Sequence, residues 1–268
     1  MLIIGERLNG MFKRVKKAIA DKNKDEILAV VQEQINDGAG MIDINVGTAA
    51  ADQQGTMQWL VETVQEKYPG FPLAVDSSKV EVLEAGLKVC QNPVLINSTT
   101  AEDEKLEKLL GLAAEYKADI LGLTLDENGI PSQKDERVAL GAKILMMAME
   151  MGLSPESVYL DPVVLPVKFG QDQCVGMIEA IRDIKTALND PAPKTAVGLS
   201  NISNGVPKEM RSLVNRTYLV MCLAAGLDSA IVDPHDQELV NAMITAELLM
   251  NKQIYSDSFI KAYRAAHG

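Results

Sequence analysis

The chain has 268 residues, a formal net charge of −11, and 47% apolar against 24% charged residues, the make-up of a globular domain with material for one large core. The acidic balance disfavours nonspecific binding to nucleic acid or anionic lipid, and an aromatic content of only 4% disfavours a base-stacking surface. No window approaches the length of uninterrupted apolar sequence that a membrane span needs. Cys90, Cys174 and Cys222 lie far apart without CxxC spacing, which argues against a disulfide framework or a zinc site and for a reducing compartment. The opening MLIIGERLNG reaches charge at Glu6 and lacks the apolar segment of a secretory signal, so a cytoplasmic location is expected.

The first short apolar run is LII (2–4), followed by Glu6, Arg7 and Asn9. DEILAVVQEQINDG (25–38) places Ile27, Val30, Val31 and Ile35 on one face and reaches a stop at Gly38, as a surface helix does. Three short runs follow: MIDINVG (41–47), PLAVDSS (72–78) and PVLINSTT (93–100). EDEKLEKLLGLAAEYK (102–117) carries acids in its first turn and a lysine at its end, matching the helix dipole. After the run DILGLTL (119–125), KDERVALGAKILMMAMEMG (134–152) is helical in pattern, and its methionines read as core packing. VYLDPVV (158–164), TAVGLSN (195–201) and DSAIVDP (228–234) are further apolar runs, with DPAPKT (190–195) read as a rigid turn into the second of them. HDQELVNAMITAELLMN (235–251) is the last clear helix.

Runs of four to eight residues rich in Val, Ile and Leu are the mark of strands buried on both faces. Eight of them alternating with about eight helices predict a (β/α)8 TIM barrel, one domain over residues 1–268. A doubly wound open sheet is the competing fold, but neither GxGxxG after the first strand nor GxxxxGK[ST] is present.

Polar residues close these runs. Glu6, Asp43 with Asn45, Asp76 with Ser77, Asn97 with Ser98, Asp161, Ser200 with Asn201, and Asp233 stand at the carboxyl ends of seven strands. In a barrel such positions surround one pocket. Carboxylates accept hydrogen bonds and carboxamides both accept and donate, a set suited to a flat heterocycle that shows amine and amide donors beside ring-nitrogen and carbonyl acceptors, as a pterin does. Helix capping by the same residues is the structural alternative. His235, read as a cap or solvated residue, and His267, in the tail, are the only histidines. No Ser-His-Asp or Cys-His arrangement can be built from them, and a zinc hydrolase is disfavoured. A Mg²⁺ site in the acidic ring lacks a tight DxD or DxE pair, so no tightly bound metal is expected.

ERLNG (6–10), DINVG (43–47), DSS (76–78), INSTT (96–100), LDP (160–162), GLSN (198–201) and VNRT (214–217) resemble, in order and spacing, the methyltetrahydrofolate:corrinoid (iron–sulfur) protein methyltransferase family of the pterin-binding superfamily. The resemblance runs from residue 1 to about 263. It implies a homodimer that moves a methyl group between N5 of tetrahydrofolate and the cobalt of a corrinoid on a partner protein. It implies that Asp76, Asn97 and Asp161 hold the pterin edge and that Asn201 is a mobile amide reaching N5. Glu6, Asp43, Asn45, Gly198, Ser200 and Arg211 are implied as further pocket members, with Arg211 either on the folate tail or supporting a loop. N5 is a poor leaving group, so hydrogen bonding there lowers the barrier. The corrinoid supplies the nucleophile, and the protein orients the reactants.

Two alternatives belong to the same reading. A dihydropteroate synthase would place a Ser-Arg-Lys cluster after strand seven for a pterin diphosphate, whereas this chain has GLSNIS there and VDPHDQ after strand eight, acids where an anion would need cations. A non-catalytic folate-binding subunit is the other. The loop NGVPKEM (204–210) departs from the acetogen type beside Asn201. The partner is therefore open between the acetyl-CoA route and a methylamine, betaine or aryl-ether demethylation system, where the methyl group would run toward tetrahydrofolate.

Overall fold

The computed structural model describes residues 1–47, 50–188 and 191–253. His267 and the first residue of the DPAPKT turn lie outside the described residues.

The chain alternates strand and helix throughout. β1 (Leu2–Gly5) leads to α1 (Lys13–Ala20) and α2 (Lys24–Asn36), then β2 (Met41–Asn45), α3 (Gln53–Lys67), β3 (Leu73–Asp76) and α4 (Val80–Val89). The middle holds β4 (Val94–Thr99), α5 (Asp103–Tyr116), β5 (Asp119–Leu123), α6 (Lys134–Glu150) and β6 (Val158–Asp161). It ends with α7 (Val167–Gly170), α8 (Cys174–Ala187), β7 (Lys194–Gly198), a 3₁₀ turn at Leu199–Ser203, α9 (Lys208–Ala225), β8 (Ser229–Val232) and α10 (Gln237–Leu249). The strands pair in chain order as a closed parallel barrel. Closure is β1 on β8, with Leu2 opposite Ser229 and Gly5 opposite Val232. The expected (β/α)8 barrel is the fold; α1 and the short α7 are additions that the pattern of apolar runs did not show.

Closure creates two cores. Outward-facing residues such as Ile42, Ile44, Leu73, Val75, Ile96 and Ile120 pack with the helices in one large cluster. Inside the barrel Ile4, Met41, Ala74, Leu95, Leu121, Tyr159 and Ala196 form a separate apolar plug, as the filled interior of this fold requires. Removing a buried aliphatic side chain from either layer costs roughly 2–5 kcal/mol.

α2 ends as its sequence indicated. Gly38 takes φ +100°, and the amide of Ala39 donates to Gln34 O at 2.9 Å, a left-handed stop that glycine adopts without penalty. In α6 the inner positions go to Ile144, Leu145 and Ala148. The helical period therefore turns Met146 and Met149 outward, and only Met147 and Met151 lean on the core. Core packing thus holds for half of this methionine-rich stretch. At the mouth, the loops after β1 and β2 touch. Gly10 N donates to Asn45 O at 2.8 Å, and a Cβ on Gly10 would lie 2.0 Å from Val46 O.

Candidate active site

Side chains along a strand alternate between faces, so the residue two positions on faces the same way. Two residues beyond each member of the interior plug stand Glu6, Asp43, Asp76, Asn97, Leu123, Asp161 and Gly198. The inward parity that buries apolar side chains at the base of the barrel thus aims acids and an amide into its carboxyl-terminal mouth. Gly198 has no side chain to aim, and Leu123 is apolar; β5 is the strand without a polar terminus.

These groups hold one another. Asn97 Nδ2 donates to Asp43 Oδ1 at 3.0 Å. Asn45 Nδ2 donates to Asp76 Oδ2 at 2.6 Å, and Asn45 Oδ1 accepts from Gly47 N at 2.7 Å. Asp76 and Asn97 are paired across β3 and β4, and the ladder shifts register between Asn97 and Thr99. On the far side Asp161 accepts from Val163 N at 2.7 Å and Gly198 N at 3.2 Å. Ser200 Oγ donates to Glu6, 2.9 and 3.0 Å from its two oxygens. Asp233 pairs with Arg7 at 3.1 Å, while the guanidinium of Arg7 lies over the Phe12 ring.

Capping does not explain the ring. The side chains that cap the barrel helices α2, α3 and α10 are Asn23, Asp52 and Asp236, none of them a strand-end residue. The ring residues spend their hydrogen bonds on one another and on the neighbouring backbone.

Burial of so many acids shows in their proton affinities. Desolvation raises the Asp161 carboxyl to about 6, against the opposing pull of the backbone amides of Val163 and Gly198 and of the Arg137 charge. Desolvation also pushes Asp43 well up, and the nearby charges of Asp76 and Glu6 add to this. Asp76 is raised by burial despite its bond from Asn45. Glu6 is raised by burial, opposed by Ser200. The N–H donors these acids have do not offset their burial, and a ligand that brings more stabilises the ionised carboxylates.

Two implied pocket members stand apart. Asn201 is exposed on the 3₁₀ turn above β7. Its Nδ2 lies 3.1 Å from where a Cβ on Gly198 would be, and its Oδ1 accepts from Asn204 at 3.4 Å; the amide thus overhangs the mouth with one long, weak contact. Arg211 is exposed at the start of α9 and its Nε donates to Val206 O at 2.9 Å. That bond ties it to the loop between the 3₁₀ turn and α9. His235 is neither a cap nor simply solvated: its ring contacts Asp37 and lies 3.9 Å from Glu33. This ties the loop after β8 to α2, because closure of the barrel brings the first and last units together.

Arg137 was missed. It is 1% exposed, lies behind Asp161, and donates to Pro131, Pro162, Val163 and Gln173. Its signal was its spacing: 137, 141, 144 and 148 form the buried stripe of α6, with an arginine where a core residue is expected. Among the described residues no group of three or more His, Cys, Asp or Glu is arranged to hold a metal ion, and no helix is long and apolar enough to cross a membrane.

The family described as pterin binding enzyme matches residues 6–233. The methylcorrinoid:tetrahydrofolate methyltransferase of Eubacterium limosum is 32% identical over 98% of this chain and 96% of its own length. The methionine synthase of Mycobacterium tuberculosis is 30% identical over 87% of this chain, which matches 20% of that longer protein. Solved dihydropteroate synthases share the fold. The Yersinia pestis enzyme with a pterin–sulfa conjugate superposes with a TM-score of 0.68 at 17% identity, covering 94% of each chain. The Thermus thermophilus enzyme gives 0.67 at 18%, covering 92% of this chain and 94% of that one. With a matching barrel, an inward ring of acids and amides and this family match, the chain belongs to the pterin-binding enzymes.

Proposed function

We propose that the protein transfers a methyl group between a protein-bound corrinoid and N5 of tetrahydrofolate, running in a demethylation system toward tetrahydrofolate. The observation that carries this is the composition of the cup. Asp43, Asp76, Asn97 and Asp161 line one side. Glu6 with Ser200, and Asp233 with Arg7, line the seam between β1, β7 and β8. A pterin edge supplies further N–H donors to the raised carboxyls. A pterin diphosphate would instead meet Glu6 and Asp233, with Arg7 already paired to Asp233, which weighs against dihydropteroate synthesis. The full-length relative named for methyl transfer to tetrahydrofolate supports the same choice and this direction.

In this reading Asp76, Asn97 and Asp161 hold the pterin edge. Asn45 fixes Asp76, and Gly198 leaves room for the Asn201 amide. Asn201 donates to N5, stabilising the negative charge N5 carries in the transition state common to both directions, without itself titrating. Glu6, Ser200 and Asp43 form the polar floor through which a proton reaches solvent. The corrinoid, brought by a partner protein, supplies the cobalt that gives or takes the methyl group. The rim suits such a partner: Phe169 on α7 is 79% exposed and Met210 at the start of α9 is 48% exposed, in the segments that follow β6 and β7 at the carboxyl-terminal mouth. The same reading carries a cytoplasmic homodimer that needs no tightly bound metal, checked by light scattering and by activity in chelator.

The test is to mix the protein with a methylated corrinoid protein and tetrahydrofolate, or with methyltetrahydrofolate and the Co(I) form, and to follow the cobalt spectrum. Transfer in at least one direction is expected. No transfer either way, with a partner shown to be competent, overturns the proposal. Pteroate formation from a pterin diphosphate and p-aminobenzoate would replace it with the synthase reading.

A further inference from the structure

Arg137 is a buried cation that methyl transfer as described does not use. All three of its guanidinium nitrogens are engaged. Nε donates to Pro131 O at 2.8 Å, Nη1 to Pro162 O at 2.6 Å and Val163 O at 2.9 Å, and Nη2 to Gln173 Oε1 at 2.6 Å. Every acceptor is neutral, and three are backbone carbonyls. Burying a charge without a carboxylate partner at hydrogen-bond distance is costly, so loop tethering alone is a weak reason for an arginine here. Its acceptors lie in the loop after β5, the loop after β6 and the turn just before α8, all at the mouth of the barrel.

The second observation is the backbone it grips. Val163 has φ +65°, a left-handed conformation that is strained for a β-branched residue. Both ends of that residue are held: its N–H donates to Asp161 Oδ1 at 2.7 Å and its C=O accepts from Arg137 at 2.9 Å. The strained turn thus joins the guanidinium to a carboxylate of the cup.

We propose that Arg137 is a positioning residue for Asp161, holding the Asp161–Pro162–Val163 turn in its strained form and presenting a fixed positive charge behind the carboxylate. The pterin-binding role of Asp161 rests on the function proposed above; the positioning itself does not. Three groups bear on Asp161 from the elements packed against it: the Arg137 charge from α6, and Tyr218 and Cys222 from α9. Burial raises the proton affinities of both Tyr218 and Cys222, which leaves Arg137 as the charged one. Tyr218 Oη is further engaged, donating to Cys174 O at 2.8 Å.

The experiment separates charge from tethering. The Asp161 carboxyl is titrated by ¹³C NMR in ligand-free wild type, Arg137→Lys, Arg137→Gln, and Arg137→Gln with Val163→Gly. Glycine adopts the left-handed turn without strain, so the double variant restores the fold if Arg137→Gln alone is too unstable to study. In the double variant the Asp161 midpoint is expected to rise by about one pH unit, while Arg137→Lys stays near wild type. Methyltetrahydrofolate affinity is expected to fall about twofold in the double variant at neutral pH and about tenfold at a pH below both midpoints, where the two carboxyls differ most in ionised fraction. A double variant that titrates like wild type overturns the proposal and leaves Arg137 a tether. A shifted midpoint in a protein whose wild type binds no folate preserves the positioning role and sinks the functional reading instead.

Discussion

Asp161 allows a worked test of the idea that the acids of the cup are under electrostatic stress. Its carboxyl rises from an ordinary 3.8 to about 6 in the folded protein, so the native state binds that proton more tightly than the unfolded chain. The stabilising contribution is complete below about pH 4 and is lost as the pH climbs through about 6. The full shift corresponds to about 3 kcal/mol. Between about pH 4.5 and about pH 7 the linkage relation leaves about 2 kcal/mol of this change. Asp161→Asn removes the titration while keeping the shape. The amide oxygen can still accept from Val163, but the amino group must face the Gly198 N–H, a mismatch that costs roughly 1–3 kcal/mol and does not vary with pH. The quantity to measure is therefore the pH dependence of the difference between the two proteins. Urea unfolding at the two pH values should show wild type losing about 2 kcal/mol relative to Asp161→Asn as pH rises. The other raised acids, Asp43, Asp76 and Glu6, are common to both proteins and largely cancel. Parallel curves would refute the reasoning, since the Asp161 carboxylate would then be as comfortable folded as unfolded.

Three other outcomes follow from particular contacts. Asn201→Ala should keep methyltetrahydrofolate affinity by calorimetry yet slow single-turnover transfer about 10²-fold, the usual loss for one donor at a developing charge; equal loss of binding would move Asn201 from chemistry to recognition. Phe169→Asp together with Met210→Asp, at two exposed apolar residues of the rim, should raise KM for the corrinoid protein about tenfold, or about 1.4 kcal/mol, with folate affinity unchanged. Gly10→Ala should destabilise the fold by about 1–3 kcal/mol, because the added methyl meets Val46 O at 2.0 Å; an unaltered thermal midpoint would show that the two loops do not touch in solution.

The architecture was legible because it depends on local pattern. Short doubly buried strands alternating with amphipathic helices have few arrangements other than a closed parallel barrel, and the ring of strand-end acids and amides was visible as soon as eight strands were counted. Whether those residues capped helices or faced one another was not legible, because both uses follow the same short spacing along the chain. Barrel closure decided it. Glu6 and Ser200 are 194 positions apart, and Asn97 reaches Asp43 across 54. Burial, and with it the raised proton affinity of Asp161, likewise exists only once the neighbouring strands have excluded water. Arg137 shows the limit most clearly: its charge suggested solvent, its helical position suggested the core, and only the packing of α6 behind the β6 turn shows that both are true. Covalent order and side-chain periodicity determined which elements form; the long-range contacts that set desolvation and hydrogen-bond partners determined what the polar residues do.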